Sequence, residues 1–435
     1  MTVLPQGRSL GNSKSLYRYP HVTPYGSLLL FPTVVLLIAG CGGGGGGSGT
    51  GVAVEIFSQN PEAEETESGI RFARRLDSGL TRMYSGEAIS QTDPERFSGG
   101  IAAADYDGDG DIDFYVVGGN STPNHLYQNH GDGTFVESAA GVGLDLIDWG
   151  SGPGFGDIDG DGDLDLFVGA GEGDAIHLFE NRVNEADSVF VDITDASGLV
   201  MTAANTTSAT FFDYDSDGYL DLFLAHWGAE RQPGDDTETV WRNNGDRTFT
   251  STGIETGIAR NLIDRGRIDY SFTPNFSDID GDGDGDLLMA SDVEESSVFF
   301  NNGDGTFANV TDRRIIKDQA GMGASVGDYD NDGDMDWFVT SVYNLDEGGA
   351  QYGNRLYRND GAGVFEDATD VAQVNDGGWG WGSCAADVDN DGNLEASGFV
   401  DANASLAFDA NASISDGAWH HVALTTDGSN AKLFV

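Results

Sequence analysis

The chain is 435 residues long, ample for a large core or more than one domain. It carries 73 acidic against 21 basic residues, a net charge of −52, which argues against nucleic acid and anionic lipid headgroups as partners. Its 64 glycines, 39% hydrophobic content and lack of any long helical period argue against a helical bundle and predict short strands joined by many turns.

Residues 1–40 read as a targeting segment. Arg8, Lys14 and Arg18 precede an apolar run from Leu28 to Ala39, with no acidic residue before it. The run is 12 residues long and broken by Pro32, too short to span a bilayer as a stable helix. It ends in Leu37-Ile38-Ala39-Gly40-Cys41, which resembles the lipobox of bacterial lipoproteins. That resemblance implies a lipidated Cys41 as the new N-terminus, anchored at the bacterial cell envelope or surface, with no other membrane contact. Residues 41–52, dominated by Gly42–Gly47, then form a flexible tether. In the next stretch, Val52–Phe57 and Ser68–Phe72 predict one or two strands.

The stretch that organises the chain is Asp157-Ile158-Asp159-Gly160-Asp161-Gly162-Asp163-Leu164-Asp165, with five carboxylates in nine residues. Two bare carboxylates ~4 Å apart repel by roughly 4 kcal/mol at an effective dielectric of about 20, so such a loop needs a cation. Hard anionic oxygens suit Ca²⁺, which takes ~6–8 of them in flexible geometry. Positions one, three and five can converge, the glycine at six supplies a turn at positive φ, seven offers its backbone carbonyl and nine closes the shell. Leu164, at position eight, is expected to point toward a core.

The pattern occurs six times. The first copy is Asp105, Asp107, Asp109, Gly110, Asp111 and Asp113. The second is Asp157, Asp159, Asp161, Gly162, Asp163 and Asp165. The third is Asp213, Asp215, Asp217, Gly218, Tyr219 and Asp221. The fourth is Asp278, Asp280, Asp282, Gly283, Asp284 and Asp286. The fifth is Asp328, Asp330, Asp332, Gly333, Asp334 and Asp336. The sixth is Asp387, Asp389, Asp391, Gly392, Asn393 and Glu395. Position eight is apolar (Ile112, Leu164, Leu220, Met335, Leu394) except for Gly285 in the fourth. Up to six Ca²⁺ ions are expected, acting as folding ligands.

Each unit has the same order of parts. A small-residue strand such as Gly321–Gly327 leads into the loop, and an apolar strand follows: Phe114–Val117, Leu166–Val168, Leu222–Leu224, Leu287–Met289, Trp337–Val339. A third strand comes next (His125–Tyr127, His177–Phe179, Val240-Trp241, Val298–Phe300, Arg355–Tyr357). Turns such as Asn302-Gly303-Asp304-Gly305 then signal a hairpin into a fourth strand, for example Thr306-Phe307. Four short strands per unit of about 50–65 residues are what a β-propeller blade requires. A single sheet cannot bury both faces alone, and stacked neighbours can.

These loops and turns resemble the FG-GAP/VCBS repeats of integrin α-chain propellers. They are most similar to the branch of cartilage acidic proteins and ASPIC/UnbV-associated bacterial proteins, although no ASPIC module is recognisable. The resemblance covers residues 97 to 396 and implies an all-β propeller, usually seven-bladed, with a Ca²⁺ loop between the first two strands of a blade. The propeller domain is set at residues 53–396, and residues 397–435 form a tail. Within it, Ala412–Leu424 and Lys432–Val435 resemble two strands of a LamG/concanavalin-like jelly roll, too few for a sandwich. The tail is expected either to pack loosely or to add strands to the last blade.

No catalytic set stands out, so the expectation is a non-enzymatic surface protein that binds protein or glycan, with a polysaccharide lyase or hydrolase as the alternative. His125 and His177 recur at one strand position, where Arg355 stands in the fifth unit, and are expected to face solvent. His226 is a candidate for lining a binding face, whereas His420-His421 face opposite ways on a strand. Trp149, Trp227, Trp379 and Trp381 are expected to pack between blades, with an aromatic platform as the other reading. The insertions Ala229–Glu238 and Tyr343–Gly353 are the expected recognition loops. Cys384 is expected to be a buried structural thiol.

Overall fold

The computed structural model describes residues 78–80, residues 99–386 with breaks, and residues 395–400, 421–426 and 431–434; the breaks are 120–121, 172–173, 186–188, 204, 231–235, 260–267, 294–295, 342–352 and 376–379. All of these fall within the compact unit Pro32–Val435. The leader, Cys41, the glycine tether and the strands expected before residue 78 lie outside the described residues, and so does the sixth loop up to Leu394.

Strands follow one another as four-stranded antiparallel meanders. The first sheet holds β1 (Ile101–Ala104), β2 (Asp113–Val116), β3 (His125–Asn129) and β4 (Phe135–Glu137). The second holds β5 (Gly150–Gly156), β6 (Asp165–Ala170), β7 (His177–Arg182) and β8 (Val189–Asp192). The third holds β9 (Thr206–Phe212), β10 (Asp221–Glu230), β11 (Val240–Asn243) and β12 (Phe249–Ser251). The fourth holds β13 (Ile268–Ser277), β14 (Asp286–Ser291), β15 (Ser297–Asn301) and β16 (Phe307–Asn309). The fifth holds β17 (Gly321–Gly327), β18 (Asp336–Ser341), β19 (Arg355–Asn359) and β20 (Phe365–Asp367). The sixth holds β21 (Gly380–Ala386), β22 (Glu395–Val400), β23 (His421–Thr426) and β24 (Ala431–Phe434). Every apolar second strand expected from the sequence begins at the ninth residue of its loop.

The hydrophobic clusters lie between consecutive sheets. Tyr115 and Leu126 of the first pack with Leu166, Val168 and Phe179 of the second. Phe167 and Leu178 meet Leu222, Leu224 and Trp241 of the third, and Phe223 and Val240 meet Leu287, Met289 and Phe299 of the fourth. Leu288 and Val298 meet Trp337, Val339 and Tyr357 of the fifth. Sandwiching explains why β6, β14 and β18 are buried at every position, on both faces. Each such apolar side chain contributes about 1.5–3 kcal/mol on burial.

Lead-in strands of consecutive sheets lie side by side: β1 with β5, β5 with β9, β9 with β13, β13 with β17, and β17 with β21. Their approach is close enough to need small residues. A Cβ at Gly156 would stand 2.7 Å from the Phe211 ring, and one at Gly152 would stand 2.6 Å from the Thr207 carbonyl oxygen. Threonine hydroxyls stitch these strands together: Thr210 Oγ1 donates to the Pro274 carbonyl at 3.0 Å and Thr273 Oγ1 to the Met322 carbonyl at 2.7 Å. The fold is therefore all-β, built of β-propeller blades.

Two sheets depart from the plain meander. Strand β10 runs on past its own blade, and Trp227, Ala229 and Glu230 pair with Tyr270, Asp269 and Ile268 of β13, joining sheets three and four edge to edge. The first residues of the expected recognition loop Ala229–Glu238 are thus strand, and Ala229 is buried. In the sixth sheet the tail supplies β23 and β24, and β22 pairs with β23 in parallel. The parallel pairing needs a long connection, which residues 401–420 provide. The tail thus takes the second of its two expected forms, and the LamG-like reading finds no sandwich to support it.

Candidate metal loops and the clamps around them

In each described loop the position-one carboxylate accepts N–H groups from the turn it opens. Asp105 accepts from Asp109 (3.0 Å) and Gly110 (2.9 Å), and Asp157 accepts from Gly160 (2.8 Å) and Gly162 (3.0 Å). Asp213, Asp278 and Asp328 do the same for Gly218, Gly283 and Gly333. The position-six glycines have φ between 93° and 100°, the left-handed turn expected of them. Position five accepts the N–H of position seven, as Asp109 does from Asp111 and Asp282 from Asp284. Position-seven side chains (Asp111, Asp163, Tyr219, Asp284, Asp334) are half-buried or exposed.

The position-nine aspartates are the buried ones. Each bridges two backbone N–H groups: Asp165 accepts from Ile158 (3.0 Å) and Asn181 (2.8 Å), and Asp221 from Tyr214 (3.1 Å) and Asn243 (2.8 Å). Asp113, Asp286 and Asp336 repeat the arrangement. Burial outweighs these hydrogen bonds and pushes the carboxyls of Asp113, Asp165 and Asp221 up to about 7, and those of Asp286 and Asp336 up to about 6.

Position two, rather than position eight, enters the core. Tyr106, Ile158, Tyr214, Ile279 and Tyr329 are all buried in the clusters between sheets. Ile112, Leu164, Leu220 and Gly285 at position eight are half-buried, Met335 is exposed, and Leu394 lies outside the described residues. The reason is strand alternation: a buried aspartate at position nine turns its predecessor outward. Gly285 has its own cause, since a Cβ there would stand 2.1 Å from the Phe212 ring of the preceding blade.

An asparagine not singled out in the sequence locks each loop to the next blade. Asn181 Nδ2 donates to the Tyr106 carbonyl of the preceding loop at 2.8 Å and to the Leu164 carbonyl of its own at 3.0 Å. Asn243 bridges Ile158 (2.7 Å) and Leu220 (3.1 Å), and Asn301 bridges Tyr214 (2.9 Å) and Gly285 (3.4 Å). Asn359 donates to the Ile279 carbonyl at 2.8 Å. The signal is an asparagine recurring at or next to the end of the third strand in the first five blades (Asn129, Asn181, Asn243, Asn301 and Asn359).

Metal-ligating atoms converge in all five described loops. Atoms within 4.8 Å of one another come from Asp105, Asp107 and Asp113; Asp157, Asp159 and Asp165; Asp213, Asp215 and Asp221; Asp278, Asp280 and Asp282; and Asp328, Asp330 and Asp332. Asp107 Oδ1 and Asp330 Oδ1 are buried with no hydrogen-bond partner. Burial, followed by the neighbouring carboxylates, raises the pKa of both groups. An all-oxygen, anionic donor set with orphaned buried oxygens fits a hard divalent cation such as Ca²⁺. Of the sixth set, Asp387, Asp389, Asp391 and Asn393 lie outside the described residues, and for Glu395 only the backbone, at the start of β22, is described.

The other candidates have structural work. His226, a candidate for lining a binding face, is fully buried, with Nε2 3.1 Å from the Glu238 carbonyl. His125, His177 and Arg355 do not face solvent: they lie half-buried to buried against Glu137 (3.5 Å), Asp192 (3.0 Å) and Asp367 (3.5 Å) of the adjoining fourth strands. Burial pulls the His177 imidazole down, but Asp148 and Asp192 outweigh it and hold its pKa above the usual value. Trp227 packs edge-on against Tyr270 and donates Nε1–H to Asp292 at 2.9 Å, an inter-blade contact. The half-buried Trp149 receives no ring partner among the described contacts; Trp379, and the side chain of Trp381, lie outside the described residues. Of the insertion Tyr343–Gly353, only Gly353 is described. Cys384 is half-buried rather than buried, and burial pushes its thiol up.

No curated protein matches the chain. Among solved structures it is similar to an Agrocybe aegerita lectin that recognises non-reducing terminal N-acetylglucosamine (18% identity, 62% of this chain, 65% of that one, TM-score 0.39). It is also similar to the V. cholerae biofilm matrix protein Bap1 (19% identity, 53% of this chain, 30% of that one, TM-score 0.29) and to the exotype rhamnogalacturonan lyase YesX (16% identity, 77% of this chain, 51% of that one, TM-score 0.25). The chain spans less than two thirds of each of these proteins. The FG-GAP-like repeat family matches residues 105–168, 278–339 and 342–396, which take in the first, second, fourth, fifth and sixth loops. Over those three regions the aspartate loops and four-stranded blades are similar to FG-GAP-like repeats.

Proposed function

We propose that this protein is a calcium-stabilised binding module of the cell envelope. It is tethered through a lipidated Cys41 and takes a glycan or protein ligand on one end of its blades. The observation that carries the reading is the convergence of three carboxylates to within 4.8 Å in each of five loops. Calcium would be held by the aspartates at positions one, three, five and nine with the position-seven carbonyl. It would supply the countercharge that lets these groups stay ionised together. The ion is a folding ligand here, because its shell is filled by one continuous loop. A binder is favoured over an enzyme because His125, His177 and His226 are engaged in packing and ion pairs.

At 100 times its dissociation constant each ion adds ~2.7 kcal/mol, so five together rival the whole stability of a typical domain. Chelator should therefore unfold the repeat region or lower its melting temperature by tens of degrees, and should abolish binding on a glycan and protein array. A melt unchanged by chelator would end the calcium reading. Turnover of a polysaccharide panel would end the reading as a pure binder.

A further inference from the structure

Arginines reach the position-three aspartate of three described loops: Arg242 stands 3.4 Å from Asp215 Oδ2 and Arg358 3.3 Å from Asp330 Oδ2, each from its own blade, and the second loop has the closest contact, from the next blade. Arg247 lies in the hairpin turn between β11 and β12 of the third blade, yet its side chain reaches back to the second blade's loop. Its Nε donates to Asp159 Oδ2 at 2.6 Å, and its Nη1 stands 2.8 Å from Glu180 Oε1. Both acceptors are nearly buried, with side chains 9% and 4% exposed. Asp159 Oδ1 accepts the Asp161 N–H at 3.2 Å, so both of its oxygens are satisfied. The corresponding Asp107 and Asp330 each keep a buried oxygen without a partner.

The backbone marks Arg247 as placed against local preference. Its φ is 67°, in the left-handed region. The matching turns of the first, fourth and fifth blades have Gly133, Gly305 and Gly363 there, with φ of 80°, 80° and 68°. A side chain resists that conformation, and the contacts with Asp159 and Glu180 offset the strain. The same turn overlies the preceding loop elsewhere too: a Cβ at Gly305 would stand 3.9 Å from Asp215 Cβ, and one at Gly363 would stand 3.5 Å from Asp280 Cβ. Only where the turn carries arginine, among the described turns, does it deliver charge to the loop beneath.

We propose that Arg247 is the built-in counter-cation of the second loop and, as the closest of these contacts and the one on the most buried aspartate, makes that loop the weakest divalent-cation site among the described loops. A guanidinium on Asp159 occupies a lone pair the ion would use and repels the ion directly. The inference rests on the calcium reading of the loops. It predicts graded occupancy: at limiting free calcium the first and fourth loops, whose position-three aspartates meet no arginine among the described contacts, fill first and the second fills last.

The test is calcium titration by calorimetry, with ion counts by native mass spectrometry, on the full chain and on Arg247→Gly. Glycine is what the sibling turns hold, so this variant keeps the turn. The weakest site should tighten by on the order of tenfold or more, given the charge removed beside it. Adding Asp157→Asn to Arg247→Gly should erase that gain, which places it in the second loop. Ions bound by both proteins with equal affinities would overturn this proposal and leave the calcium reading standing. No ion in either protein would overturn both.

Discussion

The two ends of the blades are built on different rules. At the loop end the first five blades repeat one solution: an aspartate at position nine tying two N–H groups, and in four successive blades an asparagine tying two loops or reaching the previous one. At the other end each blade differs. The third blade places Glu238 there, with its carboxylate on the N–H groups of Thr202 (2.9 Å) and Ala203 (3.0 Å). Trp227 and Asp292 link blades three and four. Asp318, fully buried, accepts from Ser296 Oγ (2.6 Å) and Tyr357 OH (3.2 Å), and burial raises its pKa. Repetition at one end fixes the scaffold, and the contacts at the other differ from blade to blade.

If that division holds, equal-sized insults at the two ends should have unequal costs. Asn243→Ala strands the buried carbonyls of Ile158 and Leu220, each worth about 1–3 kcal/mol when left unpaired. We expect a loss of roughly 3 kcal/mol by chemical denaturation. Trp227→Phe removes one hydrogen bond to a half-buried carboxylate and keeps the ring contact with Tyr270, so about 1 kcal/mol is expected. Equal costs would erase the distinction between the ends.

Much of the loop end is legible in the sequence because its chemistry is local. Alternate aspartates, the glycine at six and the strand starting at nine lie within nine residues and are read directly. What connects blades is not local. The bond from Asn243 to Ile158 spans 85 positions, and the asparagine reads in isolation as an ordinary hairpin residue. Leu164 was assigned to the core on hydrophobicity alone, whereas the buried Asp165 sets the strand's phase. His226 is a candidate for a face in the sequence because it precedes Trp227 and the long segment from Gly228, which read as a strand end. Strand β10 instead continues to Glu230 and buries it.

Acidity should sharpen the contrast from the loop side. In metal-free protein the position-nine carboxyls titrate near 6 to 7, above the ordinary aspartate value of 3.8. The folded state then binds more protons than the unfolded state, so these groups destabilise it progressively as pH rises from about 4 through 7. In chelator, the melting temperature should be higher at pH 5 than at pH 8. With saturating calcium the order should reverse, because protons compete with the ion for the same oxygens. The same order in both conditions would remove the loops as its cause.

The smallest expected effect concerns backbone strain at the two ends. Position four of every described loop is left-handed, with φ of 72° at Gly108, 76° at Gly160, 58° at Ser216, 78° at Gly281 and 60° at Asn331. Glycine takes that conformation freely and asparagine tolerates it, but serine carries a Cβ penalty of about 1 kcal/mol. Ser216→Gly should recover part of this, less the added freedom of the unfolded chain, for a net gain below about 1 kcal/mol. Glu238, at the other end, has the same φ of 58°. Its carboxylate, however, holds the Thr202 and Ala203 N–H groups, so Glu238→Gly should destabilise although it relieves the same strain. Opposite signs would show that strain at the loop end is incidental and strain at the far end is held by contacts. A gain in both variants would mean that Glu238 is as dispensable as Ser216.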